Sequence, residues 1–141
     1  MAKLPLADNV KETAILTCVS DLDGAYALYA HTEIATKLGL LSHEQIEQIK
    51  KGEKPDGLSE ACGVACEVVR WLLGEKKPLA DKISKRCMEA FGIEGTMGLM
   101  HAIGYYAYMS IAMNAFEVAV PSAAGIGVAR EASFESWRSF S

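Results

Sequence analysis

His31 closes a run of small and aromatic residues, Gly24-Ala25-Tyr26-Ala27-Leu28-Tyr29-Ala30, and is the best-placed imidazole in the sequence. Read as helix, Gly24, Ala27 and Leu28 lie seven, four and three positions before it and share its face. Gly24 and Ala27 withhold volume where a packed core puts Leu or Ile, so the pattern predicts space beside the ring. Glu12 supplies a carboxylate on the preceding segment. An imidazole with a carboxylate in reach begins an acid/base site, because the ring titrates near neutral pH and both takes and gives protons. The plainer alternative for the same residues is a buried histidine satisfied by its neighbours.

The elements that must position these residues all read as helices. Glu12 to Ser20 carries Ala14, Ile15, Cys18 and Val19 on one face. Asp21 and Asp23 suit a helix start, and the next helix runs to about Lys37 before Gly39 stops it. Ser42 with Gln45 three positions on has capping-box spacing and opens a short helix ending at Gly52. Lys54-Pro55-Asp56-Gly57 reads as a turn. Leu58 to Leu73 resumes helical periodicity, and a further helix from Pro78 to Phe91 is closed by Gly92. No stretch alternates with period two for long enough to predict a strand. The fold class is all-α, with about six helices.

Ile93 to Phe116 is the longest apolar stretch. Its length meets the roughly 20 residues a membrane span needs. However, Glu94, His101, Ser110, Asn114 and Glu117 interrupt or flank it, and no Lys/Arg cluster marks one end. The expectation is a buried helix, with Gly95, Gly98, Ala102 and Gly104 permitting close approach of the core or of another subunit. His101, Tyr105, Tyr108 and Ala112 form one stripe, while Tyr106 and Met113 lie on another. Buried hydroxyls and imidazoles need hydrogen-bond partners. These stripes therefore predict a polar network or a pocket wall, with Tyr105 and Tyr106 as its candidates; an aromatic core stripe is the alternative.

The 141 residues make one domain, half of them hydrophobic and 23% charged, with a net charge of −4. This balance lacks the basic surplus of a nucleic-acid binder. The start, Met1-Ala2-Lys3-Leu4-Pro5, has no apolar signal stretch, and a cytoplasmic setting is expected. Cys18, Cys62, Cys66 and Cys87 include no C-x-x-C pair, and Cys62 and Cys66 stack at helical spacing as small buried residues. His31, His43 and His101 lack ligand spacing, so no metal is predicted. Gly125-Ile126-Gly127 has no strand before it, which excludes a dinucleotide site.

Gly104-Tyr105-Tyr106 followed by Asn114-Ala115-Phe116-Glu117-Val118-Ala119-Val120-Pro121 resembles the C-terminal signature of carboxymuconolactone decarboxylase-like proteins, G-Y-Y and then L-N-x-F-x-V-x-x-P. Glu12-Thr13-Ala14-Ile15-Leu16 is similar to that family's R-E-x-x-I-L helix. Ala30-His31-Thr32-Glu33-Ile34-Ala35 with Gly39-Leu40 is similar to its A-H-x-x-x-A…G-L stretch. Gly52-Glu53-Lys54-Pro55 and Phe91-Gly92 also fall in family order. The resemblance covers about residues 12–121 and leaves 122–141 as a tail. The alkylhydroperoxidase D-like branch of the family carries C-x-x-C-x-x-x-H with a glutamate twelve positions before the first cysteine. Aligned on His31, that glutamate falls on Glu12, and the cysteines fall on Gly24 and Ala27, which removes the thiol cycle. The decarboxylase branch carries E-W-x-x-H, whose first two positions are Ala27 and Leu28 in this chain.

The resemblance implies a helical fold assembled as a trimer or a dimer of trimers, with a small-molecule substrate. With the residues above, it implies a cofactor-independent lyase or isomerase acting on a lactone-like or polyketide-like carbon acid by decarboxylation, isomerisation or cyclisation. His31 and Glu12 are the expected catalytic pair, and Gly24, Ala27, Leu28, Tyr105, Tyr106 and Asn114 the expected substrate contacts. A ligand-binding homologue without turnover, and more remotely a thiol peroxidase, are the alternatives.

Overall fold

The structure is a computed structural model that describes residues 3–121 and 127–128. Five helices follow one another: α1 (Asp8–Asp21), α2 (Ala25–Lys37), α3 (His43–Lys50), α4 (Glu60–Glu75) and α5 (Asp81–Ala115). Two short strands, β1 (Val120–Pro121) and β2 (Gly127–Val128), pair antiparallel with Val120 opposite Val128. The all-α reading therefore holds, and the strand pair is an addition the sequence pattern did not signal. Gly125 and Ile126, with most of the tail at 122–141, lie outside the described residues.

α1 is the hub: α2, α3, α4 and α5 all pack on it. It is buried without a break from Glu12 to Val19, including Thr13, Leu16 and Thr17 beyond the one-face stripe the sequence suggested. The threonines enter the core because each hydroxyl donates to a carbonyl one turn back, Thr13 Oγ1 to Asn9 O and Thr17 Oγ1 to Thr13 O, both at 2.7 Å. Three apolar clusters surround α1. One joins Ala14 and Cys18 to Val64, Val68, Leu99 and Ile103 of α4 and α5. The second packs Leu16 with Ala35, Leu41, Ile46 and Ile49. In the third, Ile15, Val19 and Ala27 meet Leu28, Tyr106 and Met113, and this cluster floors the site.

Local signals explain the boundaries. Ser42 accepts from the Gln45 backbone N–H at 3.1 Å while the Gln45 side chain takes the Ser42 N–H at 3.0 Å, which is the predicted capping box. The helices expected on either side of Gly92 are both present, as two arms of α5 broken where Gly92 takes φ 63° and ψ −174°. Only glycine adopts that conformation without a Cβ clash.

The long apolar arm after Gly92 behaves differently from the buried helix expected of it. Among the described residues no helix is long and apolar enough to cross a membrane. Gly95 and Gly98 are buried against the chain's own N-terminal arm, where a Cβ on Gly98 would come within 2.9 Å of Pro5 Cδ. The stripe of His101, Tyr105 and Tyr108 faces outward rather than into the core, because Leu99, Ala102 and Ile103 on the opposite side take the core positions.

Candidate active site

The α1–α2 corner makes the site. Asp23 turns the chain at φ 52°, the Gly24 N–H donates to Val19 O at 2.7 Å, and α2 folds back along α1. Glu12 stands roughly three turns before this corner and His31 roughly two turns after it. They meet across the helix pair, with His31 Nδ1 2.7 Å from Glu12 Oε2. The Glu12 side chain is only 4% exposed and that of His31 12%. A carboxylate accepts, so Nδ1–H is the donor in this contact and Nε2 is the ring nitrogen it leaves free. The described residues offer Nε2 no hydrogen-bond partner of its own.

Tyr106 completes the group from α5. Its ring stands edge-on to the His31 imidazole at 4.9 Å between centroids, and Tyr105 stands edge-on to Tyr106 at 5.1 Å. Burial, then the Glu12 charge and Tyr105, push the Tyr106 phenol up to about 12. At neutral pH it is a proton-bearing donor. The unfolded chain ionises a tyrosine near pH 10, so the folded state holds this proton between about 10 and about 12. The associated stability is complete below the unfolded value and is lost as the pH rises through the folded one. Ultraviolet titration of the five tyrosines should show one late step near pH 12, and Tyr106→Phe should remove it and flatten the alkaline loss of stability.

The other predicted contacts are placed as follows. Ala27 and Leu28 belong to the cluster beneath the site, Ala27 fully buried between Ile15 and Val19 of α1 and α5. Asn114 Nδ2 donates to Leu22 O at 3.2 Å, tying the end of α5 to the α1–α2 corner rather than reaching His31. Tyr105 is 37% exposed at the rim.

At Gly24 the expected empty volume is instead filled by Ser110: a Cβ there would lie 2.5 Å from Ser110 Oγ and 2.9 Å from Ser110 Cβ. The small residues thus bring α5 close to α2. Gly24→Ala should cost about 1–3 kcal/mol by overpacking. Ser110→Ala in the same chain should return part of that, and urea denaturation of the two singles and the double measures the coupling. Ser110 itself was missed in the sequence, although it sits one turn beyond Tyr106 on the inward stripe with Met113. Its Oγ is buried without a hydrogen-bond partner among the described residues, as is Thr32 Oγ1 beside His31.

A cavity of about 860 Å3 lies elsewhere, between α4, the 54–59 loop and the start of α5. Its Arg86 is held by Glu60 and Glu67, its Asp56 by Gln48, and His31 is not on its wall. All four cysteines are free and buried, and burial together with Asp21 pushes the Cys18 thiol up to about 12. Among the described residues no group of three or more His, Cys, Asp or Glu side chains is placed to hold a metal.

No family model matches the chain, and no curated protein and no solved structure matches it.

Proposed function

We propose that the chain is a cofactor-independent lyase or isomerase in the manner of the carboxymuconolactone decarboxylase-like family it resembles, working in the cytoplasm as a homo-oligomer, a trimer or a pair of trimers. The observation that carries this reading is the bond between His31 Nδ1 and the buried Glu12 carboxylate. It orients the ring, leaves Nε2 free to face a substrate and supports the imidazolium that forms when Nε2 takes a proton. The substrate is a carbon acid of lactone or polyketide type. His31 Nε2 removes a proton from carbon beside a carbonyl, and the electron pair moves into an enolate. The Tyr106 hydroxyl donates to the enolate oxygen. The imidazolium then returns the proton to the same or a conjugated carbon, giving isomerisation. In decarboxylation Nε2 takes the proton of the substrate's carboxylic acid, CO2 leaves, and the imidazolium so formed gives that proton to the resulting enolate carbon.

A ligand-binding homologue without turnover is the second reading, favoured by the close packing at Ala27 and Gly24. A thiol peroxidase lacks support, since the buried Cys18 thiol is far from its reactive form and Cys62 and Cys66 are buried on α4. The test is proton exchange into a panel of β-keto acids, β-keto lactones and unsaturated lactones in D2O, followed by NMR. Accelerated α-carbon deuteration or CO2 release, unchanged after thiol alkylation, supports the enzyme. Saturable binding without either supports the second reading.

A further inference from the structure

The arm of α5 beyond Gly92 turns one unpartnered face outward. Ile93, Met97, His101, Gly104, Tyr108 and Ile111 recur at intervals of four and three, and every one is exposed. Ile93, Met97, Tyr108 and Ile111 are each 59–66% exposed. With Tyr105 and Phe116 beside them, and about 200 Å2 for a fully exposed large side chain, the face offers roughly 700 Å2 of apolar surface. That exceeds the roughly 300–600 Å2 of the largest patch on a typical monomer and approaches the ~800 Å2 per partner of a standard interface.

Two further features say what covers it. Gly104 stands mid-helix and exposed, with nothing within 4 Å of where its Cβ would be. Glycine there costs the helix about 1 kcal/mol against alanine, a cost no contact within this chain explains, whereas a second helix crossing at that point does. The face is also without Lys or Arg from 93 to 116, and Glu94 is its only acid, in a chain of net charge −4. Two copies that repel elsewhere can meet along this face without opposing like charges.

We propose that a second copy of this chain docks here, α5 crossing α5 near Gly104. This deepens the homo-oligomer reading above and rests on it. The seam spacing of the exposed residues suits helix-on-helix packing, and the same surface is presented by each copy. The face adjoins the site, because Tyr105 on its flank packs on Tyr106, which packs on His31. The partner's helix therefore covers Tyr105, whose ring packs on Tyr106 beside His31.

Sedimentation of the full chain at micromolar concentration, with far-UV circular dichroism as the check on folding, tests this. The expected result is an oligomer that Tyr108→Glu and Ile111→Glu split into smaller folded species, a pair of trimers into trimers or a dimer into monomers, and whose dissociation constant Gly104→Leu raises at least tenfold. Gly104→Cys should form a disulfide between copies under mild oxidation, the native cysteines being buried; this arm stands even where a glutamate variant fails to fold. A monomeric wild-type chain overturns both this face and the homo-oligomer reading. An oligomer that keeps its full size in both glutamate variants and gives no cross-link overturns the face alone.

Discussion

Replacing His31 by glutamine should lower turnover by at least about two orders of magnitude, within the 10²–10⁴-fold range of a positioned acid/base, while the fold survives. Glutamine keeps a donor for the buried Glu12 carboxylate, which in the native chain sits 2.7 Å from the ring. What it removes is the imidazole, the group that can carry a proton to and from carbon. Stopped α-carbon exchange in the variant, with an unchanged unfolding midpoint, is the expected pair of observations. Glu12→Gln should act more mildly and through the histidine, shifting the pH–rate profile and lowering kcat more than it raises KM. An active His31→Gln chain alongside a dead thiol-alkylated one would place the chemistry elsewhere.

The Glu12–His31 contact was legible in the sequence because helical spacing is rigid. An α1–α2 hairpin with a corner at 22–24 fixes which residues face each other, and so Glu12 and His31 meet. The separation of Tyr106 and Met113 from the Tyr105–Tyr108 stripe also followed from the 3.6-residue period, and only the first pair faces α2. Which stripe points inward is a different question, decided by the partners of α5. Tyr108 and His101 turned out exposed because Leu99, Ala102 and Ile103 hold the core. The space at Gly24 was misread for a related reason. A missing side chain in the sequence says that something comes close there, not whether it is solvent, ligand or a neighbouring helix. In the fold it is Ser110. Thr13 and Thr17 hid the burial of α1, since their polarity is cancelled by hydrogen bonds to their own helix that composition cannot show.

Truncating His31 to alanine should be far more damaging to stability than the glutamine change. The Glu12 side chain is 4% exposed on the central helix, and the described residues give its carboxylate no other hydrogen-bond donor than His31. Removing the one donor to a buried carboxylate leaves it unsatisfied, at a cost of about 3 kcal/mol or more for a charged group. That is a large share of the 5–15 kcal/mol by which a domain of this size is held folded. The penalty belongs to the stranded charge rather than to the lost ring. Glu12→Gln combined with His31→Ala should therefore recover much of it, because a neutral amide is cheaper to bury than a carboxylate. Urea unfolding of the wild type, both singles and the double gives the coupling directly, and a strongly non-additive cycle is expected. Additive losses would mean that the two side chains do not depend on each other. The His31 ring would then be held by Tyr106 and its own helix, with no carboxylate available to poise it for proton transfer.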